Sequence, residues 1–107
     1  MRILLTGANG QVGHALRTSL APLGEVVCAT RDGKLADDGS ACQVADLDQP
    51  DELASLIERL KPEVVVNAAA YTAVDRAESE PDAAFRANAE AVEAMARACA
   101  HRGTLLV

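Results

Sequence analysis

Ile3-Leu4-Leu5-Thr6-Gly7-Ala8-Asn9-Gly10-Gln11-Val12-Gly13 is a short apolar run that leads straight into glycines at the spacing G-x-x-G-x-x-G. Each glycine has its own physical task. Gly7 makes the tight turn off the strand, Gly10 lets a pyrophosphate approach bare backbone, and Gly13 lets the next helix pack close to the sheet. A helix starting near Gly10 or Gln11 points its unpaired N–H groups and positive dipole end at the phosphates. The context agrees: Val12, Leu16, Leu20 and Leu23 form an apolar helix face, Gly24 closes it, and Val26-Val27-Cys28-Ala29 is a second apolar run. Together these make a βαβ unit.

Beyond this unit, strands and helices alternate along the chain, the signature of a parallel sheet with helices on its faces. Strands are expected over Arg2–Thr6 and Glu25–Thr30, then at Cys42–Ala45 after a Gly/Asp-rich connection, 32–40, expected to be the least ordered piece. Asp48 is the expected N-cap of a helix with Pro50, Asp51 and Glu52 in its first turn and Leu53, Leu56, Ile57 and Leu60 on one face. Pro62 ends it. Val64-Val65-Val66 reads as a central strand buried on both faces. From Pro81 a long helix follows, with Phe85, Ala89, Val92, Ala96 and Cys99 as its apolar stripe and Gly103 as its cap. Thr104-Leu105-Leu106-Val107 begins a fifth strand. Right-handed crossovers favour a doubly wound, Rossmann-like α/β sheet of order 3-2-1-4-5, broken off after that fifth strand.

Composition narrows the partners. The 107 residues, half of them apolar, suit a single domain, and the net charge of −6 without a Lys/Arg cluster argues against nucleic acid or anionic membrane. Tyr71 and Phe85 are the whole aromatic content, so no stacking platform for single strands exists. Apolar stretches are too short to span a bilayer, and no leader segment is read at the start, which gives the expectation of a soluble, cytoplasmic chain. Cys28, Cys42 and Cys99 are odd in number and lack ligand spacing, as for buried hydrophobes in a reducing compartment, with no metal site. His14 and His101 lie at helix ends and suggest no catalysis.

In such sheets a dinucleotide lies across the carboxyl ends of the strands, at the switch point between the first and the fourth. At the end of the second strand an acidic residue would accept from a free ribose 2′-hydroxyl, whereas an Arg pairs with a 2′-phosphate. The chain reads Thr30-Arg31-Asp32, with Thr30 in the usual acidic place and Arg31 next, favouring NADP(H) over NAD(H). Asp46 could meet the adenine amine and Leu47 its ring; a turn role for Asp46 stays equally open. Ala68-Ala69-Ala70 leaves room for a ligand against backbone. Asn88 interrupts an apolar helix face, with structural and site-supporting roles both open.

With Asn9-Gly10-Gln11-Val12-Gly13, Asp46-Leu47, Asn67-Ala68-Ala69-Ala70-Tyr71-Thr72-Ala73-Val74-Asp75-Arg76-Ala77-Glu78 and Asn88-Ala89-Glu90-Ala91-Val92, the whole chain resembles the dTDP-4-dehydrorhamnose reductases of the extended short-chain dehydrogenase/reductase superfamily. The resemblance implies hydride reduction of dTDP-4-dehydro-L-rhamnose to dTDP-L-rhamnose. It carries cofactor contacts to Gly10, Gln11, Val12, Asp46, Leu47, Ala70, Tyr71 and Thr72; the Asp75–Glu78 segment fits without an assigned role. Family members are nearly three times as long, with a Ser/Thr after the fifth strand, a Tyr-x-x-x-Lys pair and a sugar-nucleotide domain. Tyr71 does not supply that pair, because the residue four positions on is Asp75. The expectation is therefore an N-terminal fragment that holds cofactor without turnover, its open sheet edge favouring self-association. A nucleotide-sugar epimerase or dehydratase, or a non-catalytic NADP-binding regulatory subunit, are the competing readings.

Overall fold

The computed structural model describes residues 1–69 and 81–107, with residues 81–88 described by their backbone alone. Five parallel strands form one sheet in the order 3-2-1-4-5: β1 Arg2–Thr6, β2 Glu25–Thr30, β3 Gln43–Val44, β4 Val64–Asn67 and β5 Leu105–Leu106. The Rossmann-like order expected from the crossovers is the observed one. Central β1 pairs on both sides, Leu4 facing Val27 on β2 and Val65 on β4.

Successive residues of β1 serve opposite faces, as the two-residue period of a strand requires. Leu4 joins Ala29, Leu53, Ile57, Val65 and Met95 in a core beneath helices α2 (Pro50–Leu60) and α3 (Pro81–Arg102). Leu5 joins Ala8 and Ala68 on the other face, covered by Leu16 and Leu20 of α1 (Gln11–Leu20). Val65 is fully buried, while Val64 and Val66 are only half-buried, so the expected burial on both faces holds for the middle valine alone.

Several local expectations are corrected. Helix α1 stops at Leu20 and tightens into a 3₁₀ turn over Ala21–Leu23, where Pro22 supplies no N–H, and Leu23 is left exposed. The connection 32–40 is a hydrogen-bonded hairpin rather than an open loop: Lys34 bridges Ala41, Leu35 donates to Ser40 at 2.9 Å, and Cys42 donates to Gly33 at 2.8 Å. It leaves only Gln43–Val44 for β3, although Ala45 still donates to the Thr30 carbonyl at 2.8 Å. Gln49, not Asp48, is the N-cap of α2, without a side-chain cap.

The expected stripe on α3 is also corrected. Ala91, Met95, Ala98 and Cys99 face the core, whereas Ala89, Val92 and Ala96 are exposed; the side chain of Phe85 lies outside the described residues. The one long side chain among these, Met95, takes the seat against α2. The end of α3 follows expectation: Gly103 at φ +72° lets Thr104 donate to Cys99 at 2.8 Å and Gly103 to Ala100 at 3.3 Å, the two bonds of a Schellman motif.

Candidate cofactor site

The glycine run is closed by its own backbone. Gly7 stands at φ +70°, and a Cβ there would lie 2.5 Å from the Ala69 amide nitrogen, so conformation and close approach both demand glycine. Gly10 donates to the Gly7 carbonyl at 3.1 Å and opens α1, its own carbonyl accepting from His14 at 2.8 Å. Gly13 is the buried residue of α1, and a Cβ on it would meet the Gly7 carbonyl oxygen at 2.0 Å. The helix is thereby drawn down onto the loop. Gln11, Val12 and Gly13 form its first turn, where N–H groups have no carbonyl a turn earlier to bond, and no acidic residue sits there to compete with an anion.

The exit of β4 forms the second wall. The Asn67 Oδ1 accepts from the Thr6 hydroxyl at 2.7 Å and from the Ala69 amide at 3.1 Å, and the Ala68 amide donates to the Thr6 carbonyl at 3.1 Å. Both alanines are buried. The room that small residues were expected to leave is thus taken, on this side, by the Gly7 backbone and by Leu5 and Ala8. Ala70, Tyr71, Thr72 and the Asp75–Glu78 segment lie outside the described residues, as does the Asn88 side chain.

At the ends of β2 and β3, the buried Thr30 turns its hydroxyl inward. It accepts from the Lys34 amide at 3.0 Å, lies 3.1 Å from the Lys34 carbonyl and 3.2 Å from the Asp32 carboxylate, and sits 3.4 Å from the Cys42 sulfur. Thr30 therefore builds the turn and does not present its side chain where an acidic residue would. The Asp32 Oδ1 also accepts from the Lys34 amide at 3.1 Å, an Asx turn.

Arg31 points outward and is paired. Its Nη2 donates to Asp48 Oδ2 at 3.2 Å, and its Nε lies 3.7 Å from Asp46 Oδ1. Asp46 acts as a turn residue, its Oδ1 accepting from the Asp48 amide at 2.9 Å. Leu47 is half-buried against the core beneath α2.

Sequence reasoning gave Asn9 no role, yet it ties the glycine loop to the hairpin. Its Nδ2 donates to the Lys34 carbonyl at 2.9 Å, and its Oδ1 accepts from the Ala36 amide at 2.8 Å. A second tie is the Arg17–Asp37 ion pair at 3.1 Å, and Leu35 packs against the α1-side core. Cys28 lies beneath; burial pushes its thiol above the ordinary range, against the opposing pull of the Arg17 guanidinium. The signal for Asn9 in the sequence was slight, an amide between two glycines whose partners lie in a distant loop. Among the described residues no group of three or more His, Cys, Asp or Glu could hold a metal ion, and no helix is long and apolar enough to cross a membrane.

The model of the RmlD substrate binding domain family matches residues 1–107. The chain is 52% identical over 107 residues to a dTDP-4-dehydrorhamnose reductase of Burkholderia thailandensis, covering all of this chain and 32% of that protein. It is 44% identical to the reductase of the same name from Salmonella typhimurium, covering 33% of it. The crystal structure of a Bacillus anthracis dTDP-4-dehydrorhamnose reductase in complex with NADP superposes with a TM-score of 0.75 at 28% identity, over 98% of this chain and 34% of that one. The chain thus spans about a third of the length of the curated relatives it matches. With all of its 107 residues matched by that family's model, the chain belongs to the RmlD substrate binding domain family.

Proposed function

We propose that residues 1–107 are the nicotinamide-dinucleotide-holding part of a dTDP-4-dehydrorhamnose reductase, with the pyrophosphate on Gly7, Gly10, Gln11, Val12 and Gly13. The observation that carries this is the closure of Gly13 on the Gly7 carbonyl, which sets an uncharged helix N-terminus beside bare backbone. Ala68, Ala69, Ala70, Tyr71 and Thr72 would continue the wall toward the nicotinamide, and Asp46 and Leu47 would border the adenine. NADP(H) is favoured over NAD(H) because Arg31 is the cation at the end of β2; the NADP complex of the Bacillus anthracis relative supports this.

When bound, the nicotinamide supplies the hydride for reduction of dTDP-4-dehydro-L-rhamnose to dTDP-L-rhamnose. The residues of this chain bind and orient the cofactor. They include no Tyr-x-x-x-Lys pair to protonate the sugar oxygen, so the 107-residue chain is expected to bind cofactor without turnover. The nucleotide sugar would be met by residues that the longer relatives carry. A cytoplasmic location suits such a reductase.

Titration of the chain with NADPH by ligand fluorescence tests the reading. Gly10→Asp keeps a good N-cap residue at a φ of −72°, which any residue adopts, but sets a carboxylate where the pyrophosphate would lie. At least about a tenfold loss of affinity is expected, with thermal unfolding little changed. Equal binding by both proteins would overturn the assignment.

A further inference from the structure

Arg31, the residue that favours a 2′-phosphate, is already engaged by two carboxylates, and they are not equivalent. Asp46 spends its Oδ1 on the Asp48 amide at 2.9 Å and reaches only the Arg31 Nε, at 3.7 Å. Asp48 makes the shorter contact, its Oδ2 on Nη2 at 3.2 Å. A phosphate taken up in the bidentate manner of guanidinium groups needs that Nη2 edge. Asp48 stands one residue before the Gln49 N-cap, so the start of α2 fixes its position, while the Arg31 side chain is 67% exposed and able to turn.

We infer that Asp48 is a specificity-determining residue, which competes with the cofactor's 2′-phosphate for Arg31 and so lowers the preference for NADP(H) over NAD(H). The inference rests on the cofactor reading above. A cofactor with a free 2′-hydroxyl leaves the Arg31–Asp48 pair intact, whereas a 2′-phosphorylated one exchanges a carboxylate for a phosphate on the same nitrogen. The discrimination between the two is a difference of affinities, and an opposing contact in one complex narrows it.

The test is a titration of the chain and of Asp48→Asn with NADPH, NADH, 2′,5′-ADP and 5′-AMP, repeated in an Arg31→Ala background. Because the ion pair is exposed, its removal is expected to tighten NADPH and 2′,5′-ADP by about two- to fivefold. NADH and 5′-AMP should shift by less than about twofold, and the gain should vanish with Arg31→Ala. Asp48→Ser serves as a second variant, with thermal unfolding of each reporting the fold. A gain that survives in Arg31→Ala would assign the effect to bulk charge and overturn the inference. So would an unchanged ratio, or a weaker NADPH complex, which would mean that Asp48 aims Arg31 at the phosphate. Failure of the parent chain to bind either dinucleotide would remove the cofactor reading itself, and this inference with it.

Discussion

A Cβ added to Gly13 would stand 2.0 Å from the carbonyl oxygen of Gly7, so helix α1 and the loop that precedes it touch through backbone alone. The neighbour is a carbonyl held in turn by the Gly10 amide, not the flexible end of a side chain. Gly13→Ala must therefore push the helix off the sheet. A destabilisation of about 3 kcal/mol is expected, at the upper end of overpacking costs, together with loss of NADPH binding. Urea unfolding and fluorescence titration check the two effects separately.

Asn9 makes two hydrogen bonds to the hairpin backbone, to the Lys34 carbonyl and from the Ala36 amide. Asn9→Ala removes both in an exposed setting where water can replace them, so global stability should fall by only about 1–2 kcal/mol. The local effect should be larger. Amide hydrogen exchange at Ala36 is expected to accelerate in the variant while exchange in β1 and β4 stays slow. Uniform acceleration would show that Asn9 supports the whole fold rather than the hairpin.

The seating of α3 predicts a contrast between two neighbouring apolar residues. Met95 is fully buried and Val92 is 43% exposed. Met95→Ala should cost about 2–5 kcal/mol by opening a cavity against α2, whereas Val92→Ala should change stability by less than about 0.5 kcal/mol. Equal costs would mean that the helix is rotated from the position described.

These residues also show where the sequence was informative. The bounds of β1, β2 and β4 were readable because short apolar runs there end in glycine or a polar turn, and the strand order followed from crossover handedness. The face of α3 was not, since Ala89, Ala91, Ala94, Ala96, Ala98 and Ala100 surround the helix with small side chains and blur any 3.6-residue period. The glycine positions were legible, because their spacing encodes a local conformation. The Arg31–Asp48 pair and the Asn9 clamp were not, because each depends on how a loop lies in three dimensions.

Cys28 and Cys99 give the protein a dependence on alkaline pH. Burial raises both thiols above their ordinary range. The folded chain then holds these protons more tightly than the unfolded chain does. Their stabilising contribution is complete below the unfolded value of about 8.5 and is lost as pH climbs through it toward the folded one. The urea midpoint of the parent chain should consequently fall more steeply between about pH 8 and 10 than that of Cys28→Ala/Cys99→Ala. Parallel slopes in the two proteins would refute this.

Gly7 rests on the Ala69 amide, a partner more than half the chain away. The loop that opens the sequence is for that reason only partly a local object: the Gly10–Gly7 hydrogen bond and the Asn9 clamp act within residues 7–36, while its wall against Ala69 forms once β4 is laid beside β1. A peptide ending after β2 would contain every cradle glycine but not the wall that β4 lays against Gly7. On the proposed cofactor reading, capture during synthesis would wait for the fourth strand. Once it occurs, the ligand stabilises the folded state by mass action. Substitutions that loosen α2 or α3, far from any phosphate, should then surface in a binding assay as apparent losses of affinity.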